Sequence, residues 1–303
     1  MNMHRYQKLL VALNLNEQDE ATIHYASLVA QMAGSRCVHF LHVIRTDQTL
    51  AKAEVYRNLI ASARPAAEAK IAEAVAARFR SPDGIEVIQD VREGVPITEV
   101  LRAAREEEID LIVVGRKAGK ASVGDLPERV TRKAPCSVLI VPEQSRPRID
   151  RILVPVDFSD HSADAVDVAV AFAKAREIRE ITCLHAYNVP IPSSYVMGEG
   201  EAELAEAFRQ YAGRAYDEFI EPFRGRGVDF RILLRLESEE AKAILDAADE
   251  EKADLVVVGT RGTSAATVLL GSVTEQLIWT TKVPLLAAKR KGSNWDLLSL
   301  LLG

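Results

Sequence analysis

Cysteine and aromatic residues are scarce in this sequence. Its 303 residues include three cysteines, and 6% of its side chains are aromatic. Cys37, Cys136 and Cys183 are odd in number, widely spaced and each set inside an apolar run, which argues against a disulfide framework or a thiolate zinc site. We therefore expect them to be small core residues in a protein that folds without disulfides or structural metals.

Long apolar runs and excess positive charge are also missing. No segment approaches the ~20 apolar residues of a membrane span, and the first residues, MNMHRYQKLL, lack the apolar stretch of a signal peptide. The formal charge is −6 and the isoelectric point is about 5.7, which argues against nucleic acid as the main partner. These absences predict a cytoplasmic protein with no membrane insertion and no nucleic acid partner, although a local basic pocket for a small anion remains compatible with them.

The sequence contains one domain pattern twice. DLIVVG in the first half matches DLVVVG in the second, and His42 matches His185 at an offset of 143. A repeat of half the chain indicates two tandem domains rather than a solenoid. The polar stretch PEQSRPRID lies between the two copies and carries two prolines. We place the domains at residues 1–146 and 147–303.

Each copy alternates short apolar runs with longer helical patterns. Strands that are apolar throughout indicate a parallel sheet covered by helices on both faces. The predicted strands are LLVAL, CVHFLHVI, IEVIQDV, DLIVVG and CSVLIV, followed by RILVPVD, ITCLHAYNV, VDFRILLRL, DLVVVG and VPLLAA. Each domain is thus predicted to be a doubly wound, five-stranded, Rossmann-like α/β domain. Longer helical tracts are expected at 50–80 and 200–223, with Pro65 breaking the first.

A glycine-containing stretch, GTRGTSAATVLLGSVTEQL, follows a predicted strand of the second copy. Gly259 and Gly262 permit close backbone approach, and Gly271 with Ser272 opens a helix whose N-terminal amides suit an anion. The alternative is structural, because Ser272 and Glu275 match a capping box and glycines are common in turns. Spacing alone leaves both interpretations open.

Asp157 ends the first strand of the second copy, at the same sheet edge as Gly259. Ligands of doubly wound sheets bind beyond the carboxyl ends of the strands, where the strand order reverses. A carboxylate there can accept hydrogen bonds from a ribose hydroxyl or an adenine amine, or it can cap the next helix.

The segments ILVPVDFSD, CLHAY, ADLVVVGTRG, GSVTEQL and APCSVLIVPE resemble the universal stress protein family over almost the whole chain. The resemblance implies parallel α/β domains of the adenine nucleotide alpha hydrolase-like type, with ATP, with or without Mg²⁺, bound through G-x-x-G, nine residues, and G-S or G-T. Position by position, it implies that the adenosine lies along Pro155, Val156 and Asp157 and that the base lies near Ala186. It also implies that Gly259, Gly262, Gly271 and Ser272 hold the phosphates and ribose, with Val258 beside Gly259, Arg261 at a phosphate, and Val273 and Thr274 at the helix start.

Both copies depart from this pattern. In the second, eight residues instead of nine separate Gly262 from Gly271. In the first, Asn14 replaces the aspartate, Ala118 replaces the second glycine, and Asp125 occupies the position of Ser272, where its charge would repel a phosphate. The first domain is therefore predicted to bind no nucleotide. Its basic loop, containing Arg116, Lys117 and Lys120, is interpreted as solvated in preference to an anion site.

The sequence therefore favours a tandem universal stress protein that binds ATP or a related adenine nucleotide in its second domain and acts in stress response or signalling. No residue stands out as a general base toward a γ-phosphate, so an enzyme is not favoured. The alternatives are a protein that binds no nucleotide and contacts partners through its leucine-rich tail, NWDLLSLLLG, or a weak ATP hydrolase.

Two expectations concern assembly. The resemblance implies that CSVLIV and VPLLAA, the last strands of the two domains, pair within the chain. The apolar tail is expected to dock on its own domain or within a homo-oligomer such as a dimer, in preference to an unknown protein partner.

Overall fold

Strands and helices alternate through the part of the chain that the computed structural model describes, residues 5–17, 19–46, 53–80, 84–117, 126–189, 199–260 and 270–290. The first repeat contains β1 (Lys8–Leu13), α1 (Asp19–Ala33), β2 (Cys37–Arg45), α2 (Glu54–Arg78), β3 (Glu86–Gly94), α3 (Pro96–Glu106), β4 (Leu111–Arg116), α4 (Leu126–Lys133) and β5 (Ser137–Pro142). The second contains β6 (Ile152–Pro155), α5 (Asp160–Ala175), β7 (Glu180–Tyr187), α6 (Glu199–Ile220), β8 (Asp229–Leu236), α7 (Glu240–Glu250), β9 (Leu255–Gly259), α8 (Ser272–Thr280) and β10 (Leu285–Ala288). All ten predicted strands are confirmed.

The strands form one sheet in the order β3-β2-β1-β4-β5-β10-β9-β6-β7-β8. Within each repeat all neighbours are parallel. The repeats join through β5 and β10, which pair antiparallel with Ile140 opposite Leu285 and Val138 opposite Ala287. The predicted doubly wound α/β architecture and the pairing of the two last strands are thereby confirmed. The division at residue 146 stays a prediction.

Helices cover both faces of the sheet because the strands are apolar on both sides. Along β1, Leu9 and Val11 pack in the cluster beneath α1, α2, α5 and α6, whereas Leu10 and Ala12 pack beneath α3, α4, α7 and α8. Cys37, Cys136 and Cys183 are buried, as expected of small core residues, and none of the three is in a disulfide. None of the helices that the structure describes has the length and apolarity to cross a membrane.

The prediction that Pro65 breaks its helix is wrong. Pro65 lies inside the continuous helix α2. A proline removes one intrahelical hydrogen bond and clashes with the preceding turn. Here the cost is tolerated because good helix formers surround the proline and because buried residues anchor the helix on both sides of it, Ile60 before it and Ala67 and Ile71 after it.

Equivalent helices end in the same way in the two repeats. After α1, Gly34 adopts φ +58° and Ser35 N donates to Ala30 O over 3.0 Å; after α5, Glu177 adopts φ +56° and Ile178 N donates to Ala173 O over 2.8 Å. This is the Schellman arrangement, which favours glycine because a Cβ is strained in the left-handed region. The first repeat carries that glycine, and the second does not.

We therefore expect Glu177→Gly to stabilise the protein. The substitution relieves left-handed strain of about 1 kcal/mol, less the extra chain entropy of glycine, for a net gain of about 0.5 kcal/mol in the free energy of unfolding. Urea unfolding of the variant and the parent measures the difference. The reciprocal change Gly34→Ala is the control and should destabilise; a Glu177→Gly protein less stable than the parent would contradict this account.

His39, on β2, is a buried polar side chain with little compensation. It is 3% exposed, its Nε2 lies 3.4 Å from Asp90 Oδ2, and neither ring nitrogen has a hydrogen-bond partner among the described residues. Burial lowers the pKa of His39, and the nearby Asp90 carboxylate only partly opposes that shift.

Stability should therefore fall at acidic pH. Between the lowered folded pKa and the usual value of about 6.5, the unfolded chain binds a proton that the folded chain does not, so the free energy of unfolding decreases as pH drops through this window. Urea titrations at neutral and acidic pH, for the parent and for His39→Leu, measure the effect. The free energy of unfolding of the parent minus that of the variant should decrease as pH falls, and parallel profiles would show that His39 does not titrate in this way.

Candidate functional site

The switch point of the second repeat lies between β6 and β9, at the carboxyl edge of the sheet. These strands are neighbours in the sheet, but α5, which follows β6, lies on one face and α8, which follows β9, lies on the other. The strand order therefore reverses here, and the ends of β6 and β9 frame the crevice in which doubly wound folds receive ligands.

Among the described residues, no side chain caps the entrance of α8. Gly271 is the N-cap with φ −64° and ψ 141°, and Ser272 is the first helical residue. Glu275 N donates to Gly271 O over 2.9 Å. The amides of Ser272, Val273 and Thr274, which precede it, have no acceptor among the described residues. Unpaired amides at the positive end of a helix dipole are suited to an anion.

The structure does not contain the capping box that was the alternative interpretation of Ser272 and Glu275. Ser272 lies one position too late to cap the helix, and the carboxylate of Glu275 instead lies 3.2 Å from the guanidinium of Arg132 in the first repeat. The structural interpretation of Ser272 thus loses its main support.

The same entrance is hydrogen-bonded to the end of β9. Gly271 N donates to Thr260 O and Thr274 Oγ1 donates to Gly259 O, each over 3.0 Å. A Cβ placed on Gly259 would lie 2.7 Å from His161 O, at the start of α5. The glycine is therefore required for α5 to approach β9, in addition to any contact it makes with a ligand.

Asp157 lies at the mouth of the crevice and is fixed by its own turn. Its Oδ1 accepts hydrogen bonds from Ser159 N at 3.2 Å, Ser159 Oγ at 2.6 Å and Ser162 Oγ at 2.5 Å. Ser159 in turn caps α5 by accepting from Ser162 N. Of the two roles open to Asp157 from the sequence, the structure contains the one at the helix start. A ribose contact stays a prediction.

In the equivalent turn of the first repeat, the carboxylate occupies a different position. There Asn14 replaces Asp157, and Asp19 stands where the second repeat has Ser162. Asp19 is 3% exposed and accepts from the backbone amides of residues 14, 15 and 16. Burial raises the pKa of its carboxyl group, although these amide donors oppose the shift. The carboxylate of the first repeat is thus withdrawn from the crevice into the helix start.

A pocket of about 350 Å³ adjoins the crevice at the ends of β7 and β8. Phe158, which has φ +64°, stacks on His185 with ring centroids 4.3 Å apart. His185 Nδ1 donates to Val156 O over 2.8 Å, as His42 does to Leu13 O in the first repeat, so both histidines are structural, as predicted. The pocket is lined by Phe158, His185, Ala186, Tyr187, Asn188, Phe208, Tyr211, Ala212, Glu237, Ser238 and Glu240.

The remaining predicted site residues fall into three groups. Pro155 ends β6 beside Asp157. Val156 and Val258 are 5% and 4% exposed, and their side chains pack in the core, so that only their backbones face the edge. Arg261 and Gly262 lie outside the described residues, as do Ala118, Lys120 and Asp125 of the first repeat.

Arg116 does not belong to a solvated basic loop, and that prediction is wrong. Its side chain is buried, with 7% of the residue exposed. Its guanidinium donates to Trp279 O over 2.7 Å and to Thr281 O, at the end of α8 in the second repeat. Arg116 thus joins the two repeats and is not positioned for an anion in the first.

A second cleft, of about 520 Å³, lies at the opposite, amino edge of the second repeat. One of its lining cations, Arg231, is already bonded to Glu180, Glu251 and Thr182. Charges matched within the protein make this cleft a weaker candidate than the carboxyl edge. No group of three His, Cys, Asp or Glu residues in the described ranges is arranged to hold a metal ion.

A family model described as "Universal stress protein family" matches residues 5–142 and again residues 148–289. The chain belongs to the universal stress protein family. A universal stress protein of Thermus aquaticus is 37% identical over 139 residues, 46% of this chain and 97% of the relative. One from Methanocaldococcus jannaschii is 32% identical over 142 residues, 46% of this chain and 82% of the relative. Each of these relatives corresponds to a single repeat.

A solved universal stress protein from Archaeoglobus fulgidus matches both repeats together. It covers 94% of this chain and 99% of its own, with a TM-score of 0.69 and 20% identity, and so supports the tandem fold.

Three features of this universal stress protein were not predicted from its sequence: the aromatic pocket, the Asp19 turn and the Arg116 contact. The Asp19 turn had a signal, because an offset of 143 pairs Asn14 with Asp157 and Asp19 with Ser162. The other two depend on residues brought together from distant segments.

Proposed function

We propose that the second repeat binds ATP or a related adenine nucleotide, and that the protein acts through this binding in stress response or signalling. The first repeat is its structural partner and has no nucleotide of its own.

The proposal rests mainly on one observation: three features suited to the parts of a nucleotide lie at the ends of three adjacent strands. Amides with no acceptor among the described residues lie at the start of α8 beside the end of β9, Asp157 follows β6, and the aromatic pocket lies at the end of β7. Neighbouring strands are about 4.8 Å apart, so these features span about 10 Å, the scale of phosphate, ribose and base in one nucleotide. The order of these features, amides, carboxylate and aromatic pocket, is the order of phosphate, ribose and base in the ligand.

The three contacts also have the required character. Helix N-terminal amides favour the phosphate charge, a fixed carboxylate accepts from ribose hydroxyls, and a flat base packs against aromatic side chains. Asp157 is held by Ser159 and Ser162 before any ligand arrives, so little ordering is needed on binding. We propose that Mg²⁺ binds only together with the nucleotide phosphates.

Isothermal titration of the purified protein with ATP and ADP, each with and without Mg²⁺, tests the proposal, supported by mass spectrometry of small molecules that co-purify. We expect saturable binding of one adenine nucleotide per chain. Absence of both heat and thermal shift at millimolar ATP would instead favour the interaction protein that binds no nucleotide. Turnover of ATP that disappears with Ser272→Asp would favour the hydrolase.

A further inference from the structure

Cations from each repeat hold the last helix of the other repeat. Arg116, at the end of β4, donates to Trp279 O and Thr281 O at the C-terminus of α8. Reciprocally, Lys289 Nζ, just after β10, donates to Thr131 O over 2.6 Å and Ala134 O over 3.0 Å at the C-terminus of α4. The last carbonyls of a helix lack intrahelical partners and carry its negative partial charge, so cations stabilise them.

The contacts of Arg116 and Lys289 differ in what lies at the N-terminus of the helix that each one binds. The helix held by Lys289, α4, belongs to the repeat predicted to have no nucleotide. The helix held by Arg116, α8, begins at the amides of Ser272, Val273 and Thr274. It spans only Ser272–Thr280, so a displacement of its C-terminus reaches its entrance within about two and a half turns.

Contacts with both repeats fix α8 along its length. Its entrance is tied to β9 by Gly271 N and Thr274 Oγ1, its first turn meets Arg132 of the first repeat through Glu275, and its last carbonyls meet Arg116. Of the two first-repeat side chains, Arg132 is half-buried and Arg116 is buried, so Arg116 is the contact that solvent screens least.

We propose that Arg116 of the first repeat is a positioning residue for the anion site of the second repeat. By binding the C-terminus of α8, it keeps the N-terminal amides of that helix oriented toward the anion. This inference rests on the proposed function for its binding readout. It gives the first repeat a task in ligand binding although it has no nucleotide of its own. The residue at the corresponding place in the second repeat is Thr260, so only one of the two last helices is held by an arginine from this position.

The test compares Arg116→Met with Lys289→Met, the matched removal of the reciprocal contact, and with Arg116→Lys, which keeps a cation. ATP affinity is measured by titration, stability by thermal melting, and local order by hydrogen exchange in peptides covering α8. We expect Arg116→Met to raise the Kd for ATP about tenfold and to speed exchange at the start of α8. Lys289→Met should lower the melting temperature with a Kd within about twofold of the parent, and Arg116→Lys should recover part of the affinity.

Two results would overturn the proposal. One is an Arg116→Met protein with a lower melting temperature but parental affinity and parental exchange at the α8 entrance, which would leave Arg116 a purely structural residue. The other is equal weakening of ATP binding by Arg116→Met and Lys289→Met, which would indicate general loosening. A parent protein that binds no ATP would refute the proposed function, and hydrogen exchange would then decide separately whether Arg116 orders the entrance of α8.

Discussion

Ser272→Asp should abolish most nucleotide binding while leaving the fold intact. The first repeat carries Asp125 at the corresponding position, so the substitution reproduces its sequence in the second repeat. Two unit charges about 4 Å apart repel by about 4 kcal/mol at an effective dielectric constant near 20, which corresponds to about a 1,000-fold loss of affinity and, with screening by salt, at least about 100-fold. Titration with ATP measures the loss.

Stability distinguishes this loss from unfolding. Ser272 is exposed and is the first residue of α8, where a carboxylate interacts favourably with the helix dipole. The free energy of unfolding of Ser272→Asp without ligand should therefore equal or slightly exceed that of the parent. Ser272→Asn, which is neutral, is the control and should retain affinity within about tenfold. If Ser272→Asp bound ATP as tightly as the parent, phosphate would not lie at this helix.

Gly259→Ala should strongly destabilise the second repeat. The added Cβ would lie 2.7 Å from His161 O and 2.8 Å from His161 C, and both are backbone atoms that cannot swing away. Relief requires α5 to move away from β9, and overpacking of this kind costs about 1–3 kcal/mol. Because the same shift disturbs the crevice, ATP affinity should fall as well. Urea unfolding and titration measure the two effects.

Another glycine of the same repeat provides the matched control. Gly213 lies within α6, and a Cβ there would meet only Leu234 Cδ1, at an ordinary 3.8 Å. Gly213→Ala should therefore stabilise the protein by about 0.5–1 kcal/mol through helix propensity. Similar effects of the two substitutions would show that close approach of α5 is not what requires Gly259.

The strands could be predicted from local patterns, whereas several details of the site could not. Buried parallel strands are apolar throughout, so runs such as LLVAL and DLVVVG are visible without tertiary information. The capping-box alternative at Ser272 does not hold because the N-cap is Gly271, whose place is set by the bonds from Gly271 to Thr260 and from Thr274 to Gly259. A capping motif in the sequence cannot reveal bonds to another strand.

The errors at Pro65 and Arg116 have related causes. Buried residues on both sides of Pro65 hold α2 together against a local preference. Arg116 bonds to carbonyls 163 and 165 residues away, across the junction of the repeats, so no pattern near it in sequence indicates the contact. The repeat itself is informative, since comparison of the two halves of the sequence pairs the turn residues Asp157 and Asn14.

The most direct test is to observe the backbone amides of α8 while ATP is added to ¹⁵N-labelled protein. If these amides hold the phosphates, the largest chemical-shift changes should occur at Ser272, Val273 and Thr274, followed by those at Asp157 and Ala186. Changes confined to the amino edge around Arg231, or no saturable changes in α8 at millimolar ATP, would contradict the account.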